Sequence, residues 1–573
     1  MNGRRRRWTA ISSRMLPALL LVALPAAAAA TAAAAEPAFV LRRVSASGVE
    51  LENVCGSPVR KLFIVEQLGS GGALFDYDGD GDLDLYVANG ADLEILRGRR
   101  PPAYDALYRN DGDWRFADVS RQAGIGDPGW GIGVTAGDAD GDGDADLYVA
   151  NYGPNVYYQN LGDGTFRKTT AGVEDPGMGA SAAFADVDGD GDLDLYVTNY
   201  LDLDLDHPPQ DGQPCRYQGA EVACGPVGLE LQGDRFYHNL GGGRFADGGE
   251  RSGLTAVEPQ YGLGLAFADL DDDGWVDLYV ANDSGPNFLF HNRGRGRFEE
   301  IAWLAGVATE REGSFQAGMG VDAGDADGDG RLDLIVTNFA RDHNTLYLNQ
   351  GGELFEDRSM PSGIGAPSRP WLAWGVRFAD FDLDADLDLY VANGHIYPEL
   401  DAAGARETFR QPDQLFVNDG RGRFHEASER IAKGRVEASR GVASGDVDGD
   451  GDLDLVVFEL GSVPSLLRND VAGGGHYLML ELRDGARTEG VGARVRVTAG
   501  GRTQVREATR SGSYAVANDA RVHLGLGAAS RVDRLDIRWP RGKRQVFLGL
   551  PADRRYVIVE QTPRQPPAGE PIQ

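Results

Sequence analysis

Short apolar runs alternate with Gly/Asp-rich turns along most of the chain, and they return in a fixed order. One run reads Leu85-Tyr86-Val87, Leu147-Tyr148-Val149, Leu195-Tyr196-Val197, Leu278-Tyr279-Val280, Leu334-Ile335-Val336, Leu389-Tyr390-Val391 and Leu455-Val456-Val457. Apolar, β-branched and aromatic residues in such short runs, bounded by turn residues, predict buried strands. A second unit ends in Asn110, Asn160, Asn239, Asn292, Asn349, Asn418 and Asn469. In its first six copies a turn leads on to Phe116, Phe166, Phe245, Phe298, Phe355 and Phe424, which predicts a β-hairpin. A small residue opens each set: Gly71, Gly133, Ser181, Gly264, Gly320, Gly375 or Gly441. It lets backbones approach closely, as inner strands around one axis require.

The seventh Asn has Gly475 where its Phe belongs, whereas Phe39 opens a stretch to Gly48-Val49 like that from Phe116 to Gly124-Ile125. The order is permuted by one strand, which predicts circular closure. The strand near Phe39 pairs with the strand near Asn469, and both sheet edges disappear.

Between each small-residue strand and its Leu-Tyr-Val strand stands the motif D-x-D-x-D-G-x-x-D. Its positions 1, 3, 5 and 9 are Asp76, Asp78, Asp80 and Asp84, then Asp138, Asp140, Asp142 and Asp146, then Asp186, Asp188, Asp190 and Asp194. The later copies are Asp269, Asp271, Asp273 and Asp277, and Asp325, Asp327, Asp329 and Asp333. The last two are Asp380, Asp382, Asp384 and Asp388, and Asp446, Asp448, Asp450 and Asp454. Position 7 varies freely: Asp82, Asp144, Asp192, Trp275, Arg331, Asp386 and Asp452. Position 6 is glycine in every copy but the sixth, which has Ala385.

Four carboxylates at odd positions converge if the loop curls, the glycine permits the turn, and free variation at position 7 points to a ligand from its backbone carbonyl. Oxygen donors in a flexible loop suit Ca2+, up to seven ions, better than Mg2+ with its rigid octahedral demand. Without a cation, two such charges 4 Å apart repel by ~4 kcal/mol at an effective dielectric of 20. The alternative is a set of acidic turns that bind nothing. Position 12 is mostly Val or Ile and strand follows, so these are not EF-hands. The steps between copies are far too long for a calcium β-helix of nonapeptide repeats. The expected fold is all-β: a seven-bladed β-propeller over 36–470 with one calcium loop per blade, then a small C-terminal β domain over 471–560.

Charge sharpens this picture. The net charge is −32. Residues 1–35 carry +5 and residues 471–573 carry +7, so −44 falls on 36–470. That field repels nucleic acid and anionic membrane and favours cations. Arg4 to Arg7, the apolar run Leu16 to Ala30 and Ala33-Ala34-Ala35 form the pattern of a cleaved signal peptide, residues 1–35. Beyond it, no stretch has the ~20 apolar residues of a membrane span. A secreted or periplasmic protein without an integral membrane segment is expected. The end, 561–573, is Pro-rich and expected to be disordered.

The loops followed by Leu-Tyr-Val resemble FG-GAP/VCBS repeats. The tail resembles the ASPIC/UnbV domain through Gly490-Val491-Gly492-Ala493-Arg494-Val495, Arg506-Glu507, Gly512-Ser513-Tyr514, Leu524-Gly525-Leu526-Gly527 and Ile537-Arg538-Trp539-Pro540-Arg541-Gly542. Their combination is similar to the secreted cartilage acidic protein family, including its bacterial members. The resemblance implies secretion and calcium held by positions 1, 3, 5 and 9, and it implies no settled reaction or ligand. Ala385 departs from the pattern, which implies a strained, weaker sixth loop.

In the tail, Arg494 to Val497 and Thr503 to Arg506 read as a hairpin around Gly500-Gly501. Arg494, Arg496, Arg502, Arg506 and Arg510 offer an anion-binding face, suited to an acidic glycan, or else a solvated face or a surface that docks on the acidic propeller. An insertion at about 201–232 separates the third and fourth loops. Its Cys215 and Cys224 are candidates for a disulfide in an oxidising compartment, with Cys55 left over. Asp202, Asp204 and Asp206 alternate with Leu, which places them on one strand face. Long propeller loops carry binding, so the insertion is a candidate for partner contact. His238 and His291 share one place in the Asn strand and read as structural. No H-E-x-x-H, G-x-S-x-G, C-x-x-C or P-loop occurs. The leading expectation is a calcium-binding scaffold for an extracellular glycan or protein, with no evident catalytic site. The alternatives are a calcium-dependent enzyme on extracellular polysaccharide and a structural, self-associating surface protein.

Overall fold

Each Leu-Tyr-Val run is a strand buried along its whole length, because apolar sheets cover it on both faces. The computed structural model describes residues 38–205, 214–472, 474–485, 489–540 and 542–560. The expected signal peptide, the expected disordered end and Asp206 lie outside them.

Among the described residues, seven four-stranded antiparallel sheets follow one another along the chain before residue 473. The second is typical: Trp130–Gly137, Asp146–Tyr152, Val156–Asn160 and Phe166–Thr169, hydrogen-bonded in that order. Its acidic loop joins the first two strands, and its Asn-to-Phe turn joins the last two. The seventh sheet takes its fourth strand, Ala38–Arg43, from the start of the chain, with Leu41 opposite Asn469. First strands pack on the first strands of neighbouring sheets, and the seventh returns to the first. This is a closed, propeller-like ring. Between successive sheets lie apolar clusters such as Phe75, Tyr86, Val134, Leu147, Tyr158 and Phe166.

The C-terminal strands form a three-stranded and a four-stranded sheet around Leu480, Val495, Val497, Leu524, Leu535 and Trp539. The hairpin of Arg494–Ala499 with Arg502–Glu507 pairs Thr498 with Thr503. The segment Ser511–Asn518 of this domain runs into the ring axis. Ala515 N–H donates to Ser181 Oγ (3.0 Å), Ala515 O accepts from Val134 N–H (3.1 Å), and Ser513 pairs with Val321 through both backbone bonds. Ala517 N–H donates to Gly72 O (2.9 Å), and Val442 N–H donates to Ser513 Oγ (3.2 Å). Tyr514 is fully buried against Trp374, ring centroids 4.8 Å apart.

This segment gives a second reason for the small residues that open each set. A Cβ at Gly320 would lie 2.1 Å from Trp374 O of the next first strand, as expected for inner strands. A Cβ at Gly71 would lie 1.8 Å from Ala515 O, so there the close neighbour is the C-terminal segment.

The insertion differs from expectation. Asp202 and Asp204 lie on no strand; only Leu201 makes a lone bridge, to Leu231. Its regular part is the hairpin Cys215–Tyr217 with Ala220–Val222, and Cys215 is disulfide-bonded to Cys224. Tyr217 packs it against Phe339, His395 and Tyr397. Cys55 is a buried free thiol.

Candidate metal centres

Each acidic loop is curled by its own backbone. Position 1 accepts from later amides of the loop: Asp76 takes Gly79 N–H (2.8 Å) and Gly81 N–H (2.9 Å), and Asp138 takes Gly141 N–H (2.8 Å) and Gly143 N–H (3.1 Å). Position 5 accepts the N–H of position 7 in all seven loops, at 2.8 to 3.2 Å. That contact uses the position-7 backbone and leaves its side chain free to vary: Trp275 and Arg331 are partly exposed, whereas Asp452 is buried. Position 9 accepts the N–H of the Asn strand in all seven, at 2.8 or 2.9 Å.

Positions 4 and 6 both have positive φ. Position 6 is glycine at φ 100° in Gly81, and alanine at 82° in Ala385. Position 4 holds Leu383 at 61° and Asp272 at 63°. The sixth loop therefore has two strained residues where the sequence pointed to one. Replacing Ala385 with glycine should raise stability by about 1 kcal/mol in a chemical melt, the relief of strain offset in part by backbone entropy. A loss of stability would contradict that reading.

The carboxylates converge as the spacing requires. Ligand-type atoms of Asp76, Asp78 and Asp84 lie within 4.8 Å of one another, and so do those of Asp138, Asp140 and Asp142. Buried carboxylate oxygens of Asp194, Asp325, Asp446, Asp448 and Asp452 meet no hydrogen-bond partner among the described residues. Burial pushes the carboxyls of Asp84 and Asp146 up to about 8. Crowded, desolvated, partly unpartnered oxygens fit a hard cation.

Two features of the loops were not read from the sequence. The first is the repeated Asn. Its Nδ2 donates to the position-2 carbonyl of the preceding sheet's loop: Asn160 to Tyr77, Asn239 to Ala139, Asn292 to Val187, Asn349 to Leu270, Asn418 to Ala326 and Asn469 to Phe381, at 2.7 to 2.9 Å. Asn110 closes the circle onto Val447 (3.0 Å). The seven loops are thus tied edge to edge. The second is the residue before that Asn, whose side chain faces the loop. His238 Nδ1 lies 2.9 Å from Asp194 Oδ1, and His291 Nδ1 lies 3.1 Å from Asp277 Oδ1. Each also joins positions 3 and 5 of its loop within ligand distance. Their shared place in the repeat was the available signal.

The basic residues of the tail cover part of this face. Arg494 Nη1 donates to Asp269 O (2.7 Å), Arg502 Nη1 to Asp384 O (3.1 Å), Arg510 Nη1 to Leu74 O (3.0 Å) and Arg555 Nη1 to Gly81 O (2.9 Å). Arg538 pairs with Asp269 and with Asp272 (3.0 Å). Of the arginines read in the sequence, Arg494, Arg502 and Arg510 serve docking, one of the uses expected of them.

A family model described as FG-GAP-like repeat matches residues 76–149, 138–197, 269–336, 325–391 and 400–457, more than half of the chain. The chain belongs to the FG-GAP-like repeat family. A model described as ASPIC and UnbV matches residues 483–565 of this FG-GAP-like repeat protein. Cartilage acidic protein 1 of Xenopus tropicalis is 30% identical over 307 residues, 49% of this chain and 42% of that protein. The Homo sapiens protein of that name is 29% identical over 302 residues, 49% of this chain and 41% of that one. The match thus spans less than half the length of these curated relatives. Among solved structures, BBS1N in complex with ARL6DN aligns with a TM-score of 0.39 and 11% identity, covering 75% of this chain and 96% of that one. An Agrocybe aegerita lectin that recognises non-reducing terminal N-acetylglucosamine aligns with a TM-score of 0.38 and 17% identity, covering 68% and 90%. Likeness at this level carries no argument, and the fold rests on the strand pairing described above. No helix among the described residues is long and apolar enough to cross a membrane.

Proposed function

We propose that this protein is an exported, seven-bladed, calcium-loaded β-propeller that acts as a binding scaffold for an extracellular glycan or protein. One observation carries the reading. Seven acidic loops stand in equivalent places in seven sheets, each tied to the next by an Asn side chain, and in the first four the ligand-type atoms converge. Positions 1, 3, 5 and 9, with the carbonyl of position 7, would hold the ions. Calcium would supply charge neutralisation and rigidity, and no reaction step is assigned to it. The signal pattern of residues 1–35 supports export, as does the similarity to cartilage acidic protein 1. Because the loop face is partly covered by the C-terminal domain, the partner surface is assigned to the opposite face, where the disulfide-bonded insertion lies. Residues 36–573 should be retained on at least one member of a panel of polysaccharides and extracellular proteins in calcium and lost in chelator, with no soluble products released. Release of products from a polymer would replace this reading with an enzymatic one.

A further inference from the structure

The first strands start, and the second strands end, on the face away from the acidic loops, and there the ring axis opens into a cavity of about 360 Å3. Its floor is Leu68, Met319 and Trp374, all at most 2% exposed, and Tyr514 of the C-terminal segment lies behind Trp374. The cavity is therefore a pit with a closed bottom, at the small end of the ~300–1,000 Å3 usual for small-molecule sites. Such a pit admits a small group or a chain end and excludes a continuous strand.

The chemistry of the wall is selective. Asp283 and Asp342 line it, and no Lys, Arg or His does among the described residues. Asp283 is buried; its Oδ2 accepts from Tyr200 Oη (2.5 Å) and its Oδ1 from Ser284 Oγ (2.8 Å). Both oxygens keep lone pairs for further donors. Gln67 also lines the pit, is 2% exposed, and its amide nitrogen meets no acceptor among the described residues. A buried amide donor left unmet costs free energy that a ligand's acceptor recovers. At the rim stand exposed Phe315 and, from the insertion, exposed Val227.

An anion would meet two carboxylates. A simple cation would leave the Gln67 donor unmet and face it with like charge. A neutral sugar ring accepts from Gln67, donates hydroxyls to Asp283 and lays its C–H face on Phe315. We infer that this pit on the ring axis binds a neutral pyranose at the end of a glycan chain, an inference that rests on the scaffold reading and names its ligand class.

The test uses residues 36–573 in calcium, with intrinsic tryptophan fluorescence and saturation-transfer NMR as readouts. The probes are neutral methyl pyranosides (gluco, galacto, manno and N-acetylglucosamine), glucuronate, choline and an uncharged N-acetylated tripeptide. The expected result is that at least one methyl pyranoside binds at least tenfold more tightly than glucuronate, choline and the peptide. Phe315→Ala should weaken it about tenfold with an unchanged melt, since that side chain is exposed, and Asp283→Asn should weaken it as well. Preference for choline or for the peptide would overturn the inference, and so would no pyranoside binding. If the whole chain is retained on a polysaccharide equally with and without Phe315→Ala and Asp283→Asn, the pit is wrong and the scaffold reading stands. If the unaltered chain is retained on no glycan at all, the glycan reading itself falls.

Discussion

Removing calcium should lower the melting temperature of residues 36–573 by roughly 10 °C or more. A site held at 100 times its dissociation constant contributes about 2.7 kcal/mol through linkage. Extracellular sites bind at ~10⁻⁴ to 10⁻³ M, so about 10 mM calcium reaches that regime for the tighter ones. Several sites act on one closed ring, and the Asn contacts pass disorder in one loop to its neighbour. The chelated protein should also respond to pH. Asp84 and Asp146 are raised to about 8 when folded, against about 3.9 unfolded. The folded state then binds more protons across that interval, so stability falls as pH rises from about 4 to about 8. Calcium should flatten that dependence. Scanning calorimetry at pH 5 and pH 8, with calcium and with chelator, checks both effects. Equal melts in all four conditions would contradict them.

The second large effect belongs to the segment in the ring axis. Tyr514→Ala should cost about 3–5 kcal/mol, the range for truncating a fully buried aromatic side chain. Tyr514 is 0% exposed, packs at a tilt against Trp374 with ring centroids 4.8 Å apart and donates to Leu68 O at 3.3 Å. All seven ring sheets contact Ser511–Asn518, so loosening this anchor should expose the segment to protease before the ring melts. Denaturant unfolding gives the energy and limited proteolysis gives the order of events. A loss below about 1 kcal/mol with unchanged protection would show that the C-terminal domain is only loosely attached.

The ring was legible because it repeats. Leu-Tyr-Val, the Asn and Phe positions and the permuted Phe39 recur in register, so comparing copies separates buried strands from variable turns. Pairing of Leu41 with Asn469 follows from that arithmetic. The acidic loops were legible as repeats for the same reason, down to the free variation at position 7. What stayed hidden occurs once or acts between copies. Asn160 looks like a turn residue, and only the fold reveals that its amide reaches Tyr77 of the neighbouring sheet. Gly512-Ser513-Tyr514 has no periodic partner in the chain, so nothing local says that it enters an axis built by residues far away in sequence. Leu383 at positive φ was hidden because position 4 tolerates Gly, Asp and Leu, which masks its conformational demand. Asp202 and Asp204 went astray because alternation over so few residues does not specify a strand without a pairing partner.

The most direct test is to count the metal. Residues 36–573, dialysed to equilibrium against about 10 mM calcium, should carry several calcium ions per chain in excess of the dialysate by elemental analysis, approaching seven as calcium is raised. Replacing Asp138, Asp140 and Asp142 together by Asn should remove about one. A chain that holds no calcium at any concentration, and melts alike with and without it, would contradict the account.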